Sequence, residues 1–190
     1  MIESATTKTL FGLPLMICQT DVQHMAIEDY VRDKLGTHHE YTSYHDKDLN
    51  QSMKEGQPFR TEMEAAMLEV SRQFLKLRNA PKDKVDRARV AYWYSMYDSG
   101  DDHHLHTHPG ALCAGTYYPY ADESSACIRF RDPSHVISNM VEPWAGHLEH
   151  LHKPTTGQML VWPSWLEHEV RSQDSVATDA QRIAISWNYQ

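Results

Sequence analysis

Histidines gather in two places along the chain. The first is His103-His104-Leu105-His106-Thr107-His108-Pro109, and the second closes Trp162-Pro163-Ser164-Trp165-Leu166-Glu167-His168. Imidazole nitrogen is a common ligand for zinc, copper, iron and nickel. Alternation at period two puts His106 and His108 on one face of a strand. His168, at the start of a later strand, would close a facial site. The expectation is a mononuclear metal centre with His106, His108 and His168 as ligands. The competing reading is a His-rich surface loop, since the chain holds 13 His in all.

A basic residue stands further on. Arg182 opens the apolar run Arg182 to Tyr189, and alternation places Arg182, Ala184 and Ser186 on one face. A buried Arg on such a wall needs an anionic partner. A dicarboxylate that chelates the metal at one end would rest its far carboxylate on Arg182 through a bidentate pair. The alternative is an Arg in solvent or paired with a structural Asp or Glu.

The elements that must hold these residues follow from periodicity. Leu10 to Cys18, broken by Gly12 and Pro14, reads as an edge strand. A helix is expected from Asp21 to Leu35, capped by Thr20 or Asp21 and stopped by Gly36. Gly36 to Gln57, with His38, His39 and His45, reads as an irregular loop and a lid over an active site. Thr61-Glu62-Met63-Glu64 carries a capping-box signature, and Met63, Ala66, Met67, Val70, Phe74 and Leu77 follow at helical spacing, ending near Asn79. Pro81 to Asp86 reads as a charged turn. From Ala88 the chain becomes β-prone. Strands are expected at Ala88 to Tyr97, Leu112 to Tyr118, Cys127 to Phe130, Gln158 to Trp162, Glu167 to Val170 and Arg182 to Tyr189. Turn signals separate them, including Pro119, Asp132-Pro133, Pro154 to Gly157 and Ser172 to Asp179. Helices first and short strands after point to an α+β fold whose β part is a sandwich or barrel.

Composition bounds the rest. One domain is expected over residues 1–190, with 1–86 mainly helical plus a strand and 87–190 carrying the β core and the metal site. The formal net charge of -8 argues against a nucleic-acid partner. Three cysteines, Cys18, Cys113 and Cys127, form no CxxC pair and no disulfide framework. Met1 to Lys8 lacks an apolar signal core and no apolar run approaches spanning length, so a soluble cytoplasmic protein with no membrane partner is expected. A homodimer is left open.

His106-Thr107-His108-Pro109, Gly115-Thr116-Tyr117-Tyr118, Phe130-Arg131-Asp132-Pro133, Gly157 through Pro163-Ser164-Trp165 to His168 and Val170, and Arg182 to Asn188 fall in an order that resembles a family. That family is the 2-oxoglutarate- and Fe(II)-dependent oxygenases of the double-stranded β-helix fold, in a branch of small bacterial and phage members. The opening from Leu10-Phe11 to Pro14 resembles the same branch. The resemblance implies a jelly-roll barrel with N-terminal helices packed against it. It implies Fe(II) bound by His106 and His168, 2-oxoglutarate anchored by Arg182 with Ser186 as a helper hydroxyl, and Tyr118 as a further cosubstrate contact. The wider superfamily usually places Asp or Glu where His108 stands, so this chain has either a three-His centre or a different third ligand. The implied activity is hydroxylation of an unactivated C–H bond of a small molecule or peptide, using O2 and releasing succinate and CO2. Trp93, Tyr97, Tyr117, Trp162 and Trp165 are candidates for the cavity wall, although ordinary core packing is the first role expected of each. Asp102, His103 and His104 are nearby ligand candidates if the register is off by a strand position, and otherwise read as loop residues at the mouth.

A second class stays open. Gly100, His106 and His108, then Gly157, Pro163 and His168, have cupin-like spacing. A cupin uses a metal without a 2-oxoacid. Against it, Leu112 stands where a cupin Glu is expected, and a cupin has no need of Arg182. A third class, a non-catalytic metal-dependent or phage structural binding module, also fits these residues.

Overall fold

A computed structural model describes residues 2–10, 12–38, 42–98, 100–134, 140, 149–171 and 181–190. The chain runs β1 (Ile2–Leu10), β2 (Leu13–Thr20), α1 (His24–His38), α2 (Lys47–Gly56), α3 (Arg60–Leu77), α4 (Lys82–Arg87), β3 (Val90–Tyr97), β4 (His103–His106), β5 (Cys113–Tyr120), β6 (Ile128–Arg131), β7 (Glu149–His152), β8 (Gln158–Pro163), β9 (His168–Val170) and β10 (Arg182–Tyr189). The strands form two antiparallel sheets. The larger is ordered β1-β2-β8-β5-β10-β3 and the smaller β4-β9-β6-β7. This is the α+β class read from the sequence. Among the described residues no helix is long and apolar enough to cross a membrane.

The alternation of β10 explains the layering. Ile183, Ile185, Trp187 and Tyr189 join the apolar cluster that also holds Val31, Leu35, Met63, Met67, Val70 and Phe74 of the helices. Arg182, Ala184 and Ser186 face the other way, into the space between the sheets. There Leu15, Tyr118, Phe130, Leu160, Trp162 and Val170 make a second cluster. Each face of the large sheet thus buries its own apolar set, one under helices and one under the small sheet. Trp187 pins the helical layer, its indole N–H donating to Ser71 Oγ at 3.0 Å.

Several local expectations are corrected. β2 is not an edge strand. It pairs with β8 as well as β1, and Pro14 is tolerated because that second ladder begins only at Met16. The edge is β1, formed from a polar N-terminus with no apolar periodicity to announce it. α1 starts at His24 rather than Asp21, since Thr20 Oγ1 accepts the Val22 N–H at 3.2 Å in a turn before the helix, and Gly36 lies inside it. The loop expected over Gly36 to Gln57 contains α2, capped by Asp46 Oδ1 on Leu49 N–H at 2.8 Å and anchored by buried Leu49 and Met53. The Thr61 capping box does not form. The chain enters α3 through Phe59 in the left-handed region, φ 55°, with no side-chain cap. Pro81 to Asp86 belongs mostly to α4. Pro119 lies inside β5, where the register against β10 shifts, a position that tolerates proline. β7 forms where no strand is expected from the sequence. His39 and the turn Ser172 to Asp179 lie outside the described residues.

The closest approach in the large sheet is at Gly115 on β5. A methyl group there would run into the Trp187 ring and lie 2.7 Å from the Leu160 carbonyl oxygen. Neither neighbour has room to yield, because Trp187 is fully buried and Leu160 O is backbone. Gly115→Ala is expected to lower the unfolding free energy by about 1–3 kcal/mol. Urea denaturation followed by tryptophan fluorescence checks this; an unchanged midpoint would mean that the sheet relaxes around the added methyl.

Candidate metal centre

The small sheet brings the two histidine runs together. β4 pairs with β9 so that His106 lies opposite His168, and β9 pairs with β6 so that His168 also lies opposite Phe130. His108 is not on the strand with His106, as alternation suggested. β4 ends at His106, and His108 lies two residues on, held by its N–H donating to Ser164 O at 2.7 Å. That bond turns the imidazole back toward the others. The outcome for the set is the one expected: ligand atoms of His106, His108 and His168 all lie within 4.8 Å of one another.

The hydrogen bonds fix which nitrogen faces inward. His106 Nδ1 is 2.7 Å from His104 O and His168 Nδ1 is 2.9 Å from Leu166 O. A carbonyl only accepts, so each Nδ1 carries the proton and each Nε2 keeps its lone pair for the centre. His108 Nε2 and His168 Nε2 stand 3.1 Å apart. Two nitrogens each about 2.1 Å from a common ion and at right angles to it would be about 3.0 Å apart. Three neutral imidazoles converging in this way fit a first-row transition metal such as iron.

Burial keeps these imidazoles neutral. It pulls His108 and His103 down to about 4 and lowers His106; His168, 4 % exposed, sits well below its ordinary value, with the neighbouring imidazoles adding to the effect. The Asn188 amide lies beside His108 and offsets part of that shift, yet its Oδ1 meets no donor in hydrogen-bond geometry. Trp162 and Phe130 pack on His168, with ring centroids 4.8 and 6.0 Å away.

A narrow cavity runs inward from the triad, and it contains every site residue expected from the sequence: Arg182, Ser186 and Tyr118 line it with the three histidines. Arg182 is 3 % exposed. One guanidinium nitrogen donates to Ala126 O at 3.1 Å, and the group lies 4.4 Å from the centre of the Tyr97 ring. Its Nε has no hydrogen-bond partner among the described residues. A buried guanidinium with an idle donor facing a metal-ligand set fits a carboxylate of a bound dicarboxylate. Ser186 Oγ donates to Thr116 Oγ1 at 3.4 Å, and burial pushes the Tyr118 hydroxyl up to about 12, so that it stays protonated.

Of the aromatic residues considered as cavity wall, Trp93, Tyr97 and Trp162 take that place. Tyr117 lies on the opposite face of β5, in the helix-side core, and Trp165 is half exposed beside Arg131 and Glu167. Asp102 and His104 lie outside the cavity, but His103 lies within it. Its ring stacks on His106 at 4.2 Å, and its Nδ1 is 2.8 Å from the Tyr97 hydroxyl. The β4–β9 register shifts between His103 and His106, so simple alternation could not have placed His103 beside His106. His152, in β7, is taken up by Gln158 at 2.6 Å.

Residues 91–188, just over half of the chain, match the model of a 2OG-Fe(II) oxygenase family. No curated protein matches. Solved structures similar to the chain include a Pseudomonas putida prolyl-4-hydroxylase, 15% identical with a TM-score of 0.38 over 54% of this chain and 51% of its own, so the chain spans about half the length of that structure. The non-heme, alpha-ketoglutarate-dependent carbocyclase SnoK from nogalamycin biosynthesis is 11% identical with a TM-score of 0.62, covering 92% of this chain and 78% of its own. HygX from Streptomyces hygroscopicus, solved with iron bound, is 11% identical with a TM-score of 0.51 over 92% of this chain and 81% of its own. At these identities the two longer superpositions speak for a shared fold. The family match spans β3 to the end of β10 and takes in all the residues of the triad and the Arg182 cavity, and by that match the chain belongs to the 2OG-Fe(II) oxygenases.

Proposed function

We propose that the protein is a non-haem Fe(II)- and 2-oxoglutarate-dependent oxygenase that hydroxylates an unactivated C–H bond, within one domain over residues 1–190 whose two sheets are the walls of a double-stranded β-helix. The observation that carries the reading is the buried, idle Nε of Arg182 in the same cavity as three inward-facing imidazoles. Two structures of similar fold support the same reading: SnoK is alpha-ketoglutarate dependent, and HygX has been solved with iron bound. When bound, Fe(II) and 2-oxoglutarate supply the oxidation, in which the substrate C–H and 2-oxoglutarate share the two atoms of O2 and the products are an alcohol, succinate and CO2.

The chain's own residues divide the remaining work. His106, His108 and His168 hold the metal through Nε2. They bring no negative charge, so the dicationic centre and Arg182 together receive a dianionic cosubstrate. Arg182 fixes the far carboxylate through Nε and a terminal nitrogen. The Tyr118 and Ser186 hydroxyls are further polar contacts, each held in place by a wall of buried neighbours. Trp93, Tyr97 and Trp162 exclude water from the space around the metal and strengthen each of these interactions. A metal centre of the cupin kind, working without a 2-oxoacid, would leave the Arg182 Nε buried and unused, and is the weaker reading.

Anaerobic titration of the Fe(II)-loaded protein with 2-oxoglutarate tests this directly. A visible charge-transfer band that saturates is expected; iron binding without any band would shift the reading to a metal centre of another kind. His168→Ala is expected to lose stoichiometric iron, measured by metal analysis after desalting, and full retention would show that the ligands are assigned wrongly. Arg182→Ala should retain iron and raise the 2-oxoglutarate dissociation constant at least about 30-fold, the equivalent of about 2 kcal/mol for one lost desolvated charge pair. An unchanged constant by calorimetry would remove Arg182 from the cosubstrate site.

A further inference from the structure

A second, larger cavity of about 340 Å³ opens outward from His106 and His108 of the triad. It shares Trp93, Tyr97, His103, His106 and His108 with the inner one but contains none of Arg182, Ser186 and Tyr118. Its outer wall comes from a different part of the chain. Thr42 bridges to Ser95 on β3, and Ser43 N–H donates to Tyr94 O at 2.9 Å. That anchor sets Tyr44 and His45 over the cavity mouth.

The chemistry of the lining is restricted. No described residue lining this cavity is Asp, Glu, Lys or Arg. The walls are instead rings. Tyr44 meets Trp93 edge-on at 4.9 Å and His45 at 5.1 Å, and Trp93 in turn tilts over His108 at 6.0 Å. Tyr44 is 58 % exposed, so it has ring surface still open to a ligand. The polar side chains of the lining are Thr42, Thr107, Asn188, the imidazoles and the hydroxyls of Tyr44 and Tyr97, and Thr42 Oγ1 is already taken up by Tyr94 O and Ser95 Oγ.

We infer that this outer cavity is the primary-substrate site and takes an uncharged small molecule built on a flat ring, stacked on Tyr44 and Trp93. The inference rests on the oxygenase reading above. An ammonium group would find no carboxylate among the described residues of the lining and would face a metal dication. A carboxylate would find no Lys or Arg among them and would be drawn to the metal in competition with 2-oxoglutarate. A neutral substrate gives up least hydration on entry. A planar ring gains most from edge and face contacts with aromatic walls. The volume is at the small end of the about 300–1,000 Å³ typical of small-molecule pockets. The ring path from Tyr44 to Trp93 to His108 ends at the metal ligands, so a stacked ligand presents its edge to the centre where oxidation would occur.

The test is anaerobic calorimetry on the full chain, loaded first with Fe(II) and then with 2-oxoglutarate. Four probes follow: indole-3-acetamide, its anion analogue indole-3-acetate, its cation analogue tryptamine, and the non-planar cyclohexylacetamide. Indole-3-acetamide is expected to bind at least about tenfold more tightly than each of the others. Tyr44→Ala should weaken it by about tenfold, Tyr44→Phe should keep it within about threefold of the parent, and both variants should bind Fe(II) and 2-oxoglutarate as the parent does. Equal or tighter binding of the acetate, tryptamine or the cyclohexyl probe overturns the assigned class. No binding of the acetamide to protein that holds both iron and 2-oxoglutarate overturns it as well, leaving the oxygenase reading intact. If Fe(II) or 2-oxoglutarate fails to bind in the first two titrations, the oxygenase reading itself falls, and this inference falls with it.

Discussion

The geometry of the centre depends on a short hydrogen bond repeated twice. His106 and His168 each give their Nδ1 proton to the carbonyl two residues before them. That single contact sets the tautomer, fixes ring orientation and leaves Nε2 as the only free donor atom, which is what a metal ligand requires. His108 has no such local carbonyl and depends on its backbone bond to Ser164 instead. The β4–β9 pairing then has only to bring two already oriented rings together, with centroids 4.2 Å apart and planes inclined by 54°.

The layered fold supplies what those rings cannot. The helices cover one face of the large sheet, so that β10 can bury Ile183, Ile185 and Trp187 on that side while directing Arg182 and Ser186 to the other. An arginine in so apolar a place carries a desolvation cost, which Ala126 O and the Tyr97 ring offset only in part. The remaining imbalance leaves the Arg182 Nε donor unmatched among the described residues, which is the feature the proposed anion contact rests on. The outer face of the small sheet shows the contrast: Arg129 and Arg171 there pair with Glu149 and Glu169 and are fully occupied.

Arg182 and Ser186 are legible in the sequence because they share a face, as strand geometry requires, and the histidines because of their residue chemistry. His108 nevertheless joins the other two through its backbone bond to Ser164 and not through alternation with His106. The errors arose where tertiary context overrides local pattern. β1 is polar and exposed along almost its whole length and owes its existence to pairing with β2. α2 carries only two buried residues, too few for a visible periodicity. His103 enters the cavity through a register shift, which no spacing rule encodes. Tyr44 acquires a role only because a two-residue anchor at Thr42 and Ser43 ties its segment to β3, a long-range contact invisible in sequence.

The metal ligands and the guanidinium belong to different sheets. His106 and His168 are carried by the small sheet and Arg182 by the large one, with Phe130 packed edge-on against Trp162 between them at 5.3 Å. The distance from the histidines to the guanidinium is therefore not a property of any one strand. It is set by how thick the apolar filling between the layers is, so the pair acts as a caliper whose jaws are the sheets. On the function proposed above, trimming or padding that filling would change the length of dicarboxylate that fits before it disturbed either jaw, and chain-length selectivity would in this sense be stored in residues that touch neither the metal nor the ligand.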